Sequence, residues 1–165
     1  MRKSLFYFLC IVATLVGIFM FSAQDSRDTA KTSDTIVKPI ENRIKTKSDK
    51  TFGTEKAEKA YWKKINQKLD KLVRKTAHGI IYGVLGFFTI MFLRSIGVPM
   101  GDAIVLTMML CGGYGACDEL HQKGVKGRTC RFSDVCIDMF GAWVTTTCVY
   151  VADKIVGYNR KKPEP

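Results

Sequence analysis

Charged side chains are missing from long segments of this 165-residue chain. No residue from Ser4 to Gln24 is charged, and the apolar run within this segment has 18 residues, close to the ~20 that cross the hydrocarbon core of a bilayer. The segment also lacks the small-x-small cleavage site of a signal peptide, because Phe21 precedes Ser22 and Ala23. We therefore expect an uncleaved transmembrane helix.

Disulfide, phosphate-binding and nucleophile motifs are absent as well. Four of the six cysteines lie inside apolar runs, where a thiol behaves as a small hydrophobic group. The chain has no Gly-rich loop of the P-loop or dinucleotide-binding type and no Ser or Cys nucleophile motif. These absences exclude a disulfide scaffold, and we predict no cofactor.

Apolar segments recur later in the chain and predict further spans. The four predicted spans are residues 4–23, 77–93, 103–117 and 135–152. The last three have no polar stripe wide enough for a water-exposed face, which argues against core helices of a soluble protein. We predict a single domain over residues 1–165, folded as an all-α integral membrane bundle of four transmembrane helices.

The segment 25–75 is much more polar than the spans. It contains fifteen Lys/Arg and eight Asp/Glu, with few large apolar residues before Tyr61, so we expect its first half to be loosely ordered. From Thr54, a predicted N-cap, apolar residues recur every three or four positions among lysines. This pattern predicts a basic amphipathic helix before the second span, which either lies on the membrane surface or packs on its own protein.

The distribution of basic residues leaves the membrane orientation open. With the N-terminus in the cytoplasm, the cytoplasmic segments hold seven Lys/Arg and the opposite loops hold nineteen, which the positive-inside rule disfavours. However, a long loop such as 25–75 counts for less in that rule than short loops do.

Polar residues gather at the predicted span edges, where charged groups are costly and are functional candidates by default. Span two begins, span three ends and span four begins at one membrane surface, so their polar clusters are predicted to meet there. The predicted ligand-binding residues are Arg74, Lys75, His78, Tyr82, Asp118, Glu119, His121, Gln122, Arg128, Asp134 and Asp138. We expect Asp138 to pair with Arg128 or Arg131.

Three roles are open for these clusters. Their opposite charges hold the helices in register, they bind an anionic or polar envelope ligand, or His78 acts as a base with Asp118 or Glu119 orienting it. A site with two histidines and one carboxylate is unspecific at this sequence separation, so no metal is predicted. Positive charge beside membrane segments favours membrane lipid or envelope polymer over nucleic acid as partner.

The order and spacing of these motifs resemble the VanZ-like family of bacterial membrane proteins, over nearly the whole chain. The matching segments are Phe21-Ser22-Ala23-Gln24, Arg74 to His78 with Tyr82 and Leu85-Gly86, Asp118 to Gln122, and Gly127-Arg128 followed by Asp134 and Gly141. Three positions depart from the family pattern. Ile81 replaces a common acidic residue, Lys126 a common proline, and Asp138 a common asparagine.

The resemblance implies a multi-pass protein of the bacterial cell membrane with a role in the cell envelope. The family's name-giving member is associated with low-level resistance to the glycopeptide teicoplanin, and the resemblance establishes no reaction. Our first hypothesis is a non-catalytic protein that binds or shields an anionic lipid-linked envelope precursor or the glycopeptide, with arginines binding its phosphate or carboxylate. The alternatives are a membrane enzyme acting on a lipid-linked substrate and a structural subunit. Because the antibiotic acts outside the membrane, the resemblance favours both termini inside.

Overall fold

The computed structural model describes residues 2–23, 26–47, 52–125 and 131–160. These residues contain no strand. The helices are α1 (Arg2–Ala23), α2 (Ser26–Lys47), α3 (Glu55–Ser95), α4 (Met100–Gln122) and α5 (Phe132–Arg160). Four of them, α1, α3, α4 and α5, are long and apolar enough to cross a membrane. The predicted all-α fold with four such helices is confirmed.

The four long helices extend beyond the apolar runs that predicted them. α4 continues through Asp118 and Glu119 to Gln122 without a break at its glycines. α5 begins at Phe132, so that Asp134 lies in its first turn. The polar residues at these ends stay helical because neighbouring helices supply partners for their side chains.

α3 is one continuous helix of 41 residues, which corresponds to about 60 Å at 1.5 Å per residue. Thr54 caps it as predicted, since its Oγ1 accepts a hydrogen bond from the Ala57 N–H at 3.3 Å. Glu55 and Glu58 lie in the first turn, where negative charge favours the helix dipole. Because the ~30 Å core of a bilayer covers only half of this length, the N-terminal half projects beyond the span, and it packs against α2.

α2 corrects the expectation that the first half of segment 25–75 is loosely ordered. Ser26–Lys47 is helical and packs along α3. Val37 is buried, Glu41 Oε2 accepts from Asn66 Nδ2 at 2.8 Å, and Lys45 Nζ lies 5.0 Å from the centre of an α3 tryptophan ring. These α2 residues are four positions apart on one face. Val37 is the one buried apolar residue described on α2, whereas Ile36, Ile40 and Ile44 are 53%, 37% and 39% exposed.

The four long helices meet around a small apolar core near the middle of the bundle. Its buried residues are Ile11, Ile18, Tyr82, Leu85, Cys111 and Ala142. α3 and α5 make the most extensive contact, and they approach so closely that a Cβ on Gly141 would overlap the backbone carbonyl of Gly79. Small residues permit this approach between membrane helices. The contact brings the polar residues of α3 beside those at the start of α5.

The outer surface of the bundle is strongly apolar. Met109, Leu5 and Phe140 are 68%, 60% and 62% exposed, and many other large apolar side chains on the four long helices are exposed with them. A water-soluble monomer rarely exposes apolar surface of this extent. The exposed surface is therefore suited to contact with lipid.

Candidate functional site

A small polar pocket lies at the end of the bundle where α4 ends and α5 begins. Its volume is about 40 Å³, which gives room for about three water molecules or a small ion. The lining residues are Arg74, Lys75, His78, Glu119, Gln122, Asp134, Ile137 and Asp138. The structure thus brings together seven of the predicted site residues, and it adds Ile137.

α3 supplies the cationic side chains of the pocket. His78 lies four residues after Arg74 and three after Lys75, so both can share a helix face with it. Lys75 Nζ donates to Asp134 Oδ1 in a partly exposed ion pair between α3 and α5. Arg74 is half-buried, and among the described residues its guanidinium forms no hydrogen bond or ion pair. Arg74 is therefore the pocket cation available to a ligand.

Among the described residues, Asp138 pairs with His78 and not with Arg131, one of the two arginines that the sequence suggested. The Nδ1 atom of His78 lies 3.8 Å from Asp138 Oδ1, and the two side chains are 17% and 3% exposed. Arg131 is exposed, and its backbone N–H donates to Glu119 Oε2 at 2.8 Å. Arg128 lies outside the described residues.

α4 contributes three buried polar side chains, Asp118, Glu119 and Gln122. Gln122 Nε2 lies 2.8 Å from Asp118 Oδ2 and 3.1 Å from Ser22 Oγ, to which it donates. Ser22, at the end of α1, is fully buried and was not predicted as a site residue, although it belongs to the Phe-Ser-x-Gln segment. This hydrogen bond connects α1 to the base of the pocket.

His121 lies away from the pocket. It is exposed, and its ring centroid is 4.9 Å from that of Phe19 on α1. We expected His121 beside Asp118 and Gln122 because these residues directly follow the predicted third span, residues 103–117. Since α4 remains helical there, the 100° rotation per residue separates His121 from its neighbours.

A buried cluster lies just inside the pocket. One potential ligand atom from each of His78, Asp118 and Asp138 lies within 4.8 Å of the other two. Tyr82 is completely buried one turn along α3 from His78, and its hydroxyl has no hydrogen-bond partner among the described residues. The cluster therefore combines one imidazole, two carboxyls and a phenol that were predicted from three separate motifs.

An apolar groove of about 820 Å³ adjoins the polar pocket. It lies between α3 and α5, and its lining includes Gly79, Gly83, Val84 and the exposed side chain of Phe140. Two residues, Lys75 and Ile137, line both the groove and the pocket. The sequence did not predict this groove, because it depends on the small-residue contact between the two helices.

Comparison with known families agrees with the motif pattern. The family model described as VanZ/LLP1 matches residues 4–153. The chain belongs to the VanZ/LLP1 family. The match includes every pocket residue of this VanZ/LLP1 protein, and with its four long apolar helices it is a membrane protein. No curated protein and no solved structure matches the chain.

Proposed function

We propose that this VanZ/LLP1 protein binds an anionic lipid-linked ligand of the bacterial cell envelope. The lipid phosphate occupies the polar pocket and the hydrocarbon chain lies in the apolar groove. The observation that supports this most directly is the shared wall, since Lys75 and Ile137 line both spaces. A ligand with a charged head and a long chain fits such a pair of adjoining spaces better than a wholly polar ligand does.

Arg74 is the residue that we expect to bind the phosphate. Its half-buried guanidinium has no ion pair within the described part of the chain, and it offers a planar fork that matches phosphate oxygens. Lys75 lies next to it and is held at the junction of pocket and groove by Asp134. The phosphate headgroup therefore meets the available guanidinium of Arg74 and the ammonium of Lys75, which the ion pair with Asp134 already orients.

The groove is suited to the chain of the ligand because it opens on the outer surface of the bundle. Ile80 and Val84, which line it, are 63% and 40% exposed. Gly79 and Gly83 keep part of the groove free of side chains. A lipid chain can thus enter laterally from the membrane and gain packing contacts, which are a main source of association within lipid.

This binding would act at the outer face of a multi-pass protein in the bacterial cell membrane, with both termini in the cytoplasm. A lipid-linked envelope precursor held in the pocket would be shielded from a glycopeptide such as teicoplanin. Expression of the protein is therefore expected to lower susceptibility to that antibiotic.

A binding measurement tests the lipid proposal on full-length protein in nanodiscs. The probe is a labelled polyprenyl phosphate, and the competitors are the same polyprenol without phosphate and inorganic phosphate alone. We expect only unlabelled polyprenyl phosphate to compete well. Arg74→Ala is expected to weaken binding about 10-fold or more, as for loss of a hydrogen bond to a charged group, whereas Lys71→Ala, on the exposed surface of α3, is expected to have little effect.

A second pair of variants tests the groove. Val84→Trp fills the groove, and Val105→Trp places the same side chain on the exposed surface of α4. We expect only the first to reduce binding. If Arg74→Ala and Lys71→Ala weaken binding equally, the ligand does not use the pocket. If the two tryptophan variants weaken binding equally, it does not use the groove.

Teicoplanin susceptibility tests the cellular role separately. We expect cells that express the wild-type protein to require a higher inhibitory concentration than cells that express Arg74→Ala at the same level. If the two strains are equally susceptible although the purified proteins differ in lipid binding, the shielding role is wrong and the binding proposal stands.

The pair of His78 and Asp138 supports a second candidate function, hydrolysis of a lipid-linked phosphate. In this mechanism His78 accepts a proton from the water that attacks the terminal phosphorus of a polyprenyl diphosphate, the bridging P–O bond breaks, and polyprenyl phosphate leaves. Asp138, 3.8 Å from His78, orients the imidazole, in place of the predicted Asp118 or Glu119. Release of inorganic phosphate from a polyprenyl diphosphate by wild-type protein, and its loss in His78→Ala, would establish this candidate. Binding without release would exclude it.

A further inference from the structure

Three helices bring one histidine and two aspartates together beneath the polar pocket. His78 belongs to α3, Asp118 to α4 and Asp138 to α5, and one ligand atom from each lies within 4.8 Å of the others. Asp118 and Asp138 are 5% and 2% exposed. Imidazole nitrogen and carboxylate oxygen are both ligands of zinc and related ions.

Counted over the described residues, the two aspartates leave an excess of negative charge in this buried cluster. Carboxylates that are buried close together disfavour each other's charged form, and each also loses hydration. Lys75 is already paired with Asp134, and Arg74 forms no ion pair in the described part of the chain. A cation bound between the aspartates and His78 would balance both acids directly.

The hydroxyl of Tyr82 is an independent observation that points to a missing partner. It is completely buried and has no hydrogen bond among the described residues. A Cβ built on Gly115 would lie 3.7 Å from this hydroxyl and also 3.7 Å from Asp138 Oδ2. The missing side chain at Gly115 therefore leaves room for a small group beside both the phenol and the carboxylate. A water molecule bound to an ion in the cluster could accept or donate a hydrogen bond there.

We propose that His78, Asp118 and Asp138 bind a divalent transition-metal ion of the zinc and manganese class. Ligand atoms around a tetrahedral zinc ion lie roughly 3.4 Å apart for bonds of about 2.1 Å. The 4.8 Å limit of the cluster exceeds this by about 1.4 Å at most, and rotation of the side chains can close the difference. The imidazole distinguishes the site from the all-oxygen sites that magnesium and calcium prefer.

Gln122 orients one of the proposed ligands. It donates to Asp118 Oδ2 at 2.8 Å and, through the same amide nitrogen, to Ser22 Oγ at 3.1 Å. This contact leaves the other oxygen of Asp118 for the ion. Outer contacts of this kind typically change metal affinity by about 10–100-fold, so Gln122 is a positioning residue of the site.

Zinc binding by full-length protein in detergent tests the proposal. The protein is purified without a histidine tag, treated with a chelator, dialysed against Zn²⁺ and analysed for bound metal. We expect about one zinc per chain in the wild type and background levels in His78→Ala and Asp138→Asn. His121→Ala is the matched control, because it removes the other histidine of the chain, which lies on the exposed surface beside Phe19.

Cobalt absorption provides a second measurement that does not depend on metal stoichiometry. We expect Co²⁺ to give a visible spectrum in the wild type and in His121→Ala, an altered spectrum in Gln122→Ala and none in His78→Ala, with circular dichroism showing that each variant is helical. The proposal is overturned if the wild type binds no zinc, if His78→Ala binds as much as the wild type, or if Mg²⁺ displaces zinc at equal concentration.

The metal proposal and the lipid proposal are tested separately, although His78 and Asp138 also line the polar pocket. Metal binding is measured in detergent without a polyprenyl phosphate, and it depends on His78, Asp118 and Asp138. Lipid binding is predicted to depend on Arg74 and on the groove. A variant such as Arg74→Ala is therefore expected to retain zinc and to lose the lipid, so that failure of one proposal does not decide the other.

Discussion

Lys75 of α3 and Asp134 of α5 form an ion pair that joins the two helices at the polar pocket. Their side chains are 35% and 27% exposed, so water and salt weaken the pair only in part. The pair lies one turn before Gly79 on α3 and two turns before Gly141 on α5, where these glycines make a close contact. Together the two contacts hold the cationic edge of the pocket against α5.

A double-mutant cycle on Lys75 and Asp134 measures the strength of this pair. We expect Lys75→Met and Asp134→Leu each to lower thermal stability in detergent, because each leaves a partly buried charge without its partner. The double variant should recover part of the loss, with a coupling energy of about 1 kcal/mol. The measurement is the unfolding transition followed by circular dichroism.

The ion pair of Lys59 with Glu55 is the control for this cycle. It lies on the projecting half of α3, and its side chains are 75% and 79% exposed. We expect a coupling energy no larger than about 0.5 kcal/mol, the usual range of exposed helix pairs. Equal coupling in the two cycles would contradict a structural role for Lys75 and Asp134.

Gly141 is predicted to be the position of α5 least tolerant of a side chain. Gly141→Ala would place a Cβ in overlap with the carbonyl of Gly79, so α3 and α5 must separate. We expect a loss of about 2 kcal/mol or more, as for overpacking in a tightly packed core. A Cβ on Gly157 of the same helix meets nothing, so Gly157→Ala should be neutral or slightly stabilising. A mild effect of Gly141→Ala on the unfolding transition would contradict the close packing.

A hydrogen bond from Tyr114 connects α4 to α1. Its hydroxyl donates to the Leu15 carbonyl at 2.8 Å. We expect Tyr114→Phe to lower stability by about 0.6–1 kcal/mol, the usual value of a polar contact between membrane helices. Tyr150→Phe serves as the control, because the Tyr150 hydroxyl donates no hydrogen bond to the described residues. If both variants unfold at the same temperature, the contact does not contribute to helix association.

The sequence was sufficient to predict the four long helices and most of the pocket. Long apolar runs define the helices through composition alone, and the spacing of Arg74, Lys75 and His78 defines one face of α3. Because successive spans cross the membrane in opposite directions, the end of α4 and the start of α5 are predicted to lie beside that face. These inferences require only local periodicity and chain direction.

Features that depend on contact between helices were missed or misassigned. His121 was grouped with the pocket residues because the third span was predicted to end at residue 117, whereas α4 continues to Gln122. α2 was missed because its hydrogen bond and cation contact with α3 are polar. Of the two arginines expected to pair with Asp138, Arg131 does not, and packing of α3 against α5 presents His78 instead; Arg128 stays a prediction. The groove and the hydrogen bond from Gln122 to Ser22 likewise arise from packing, which sequence spacing does not specify.

Membrane orientation gives the last prediction, since the proposed shielding role requires the pocket to face outward. Lys123, just after α4, is exposed at the pocket end of the bundle, and Ser95 is exposed at the opposite end of α3. In a variant without native thiols, we expect Lys123→Cys to react with a membrane-impermeant maleimide in intact cells. Ser95→Cys should react only after the membrane is opened. The reverse pattern would place the pocket in the cytoplasm, where it could not shield a ligand from an external antibiotic, although lipid and metal binding would remain possible there.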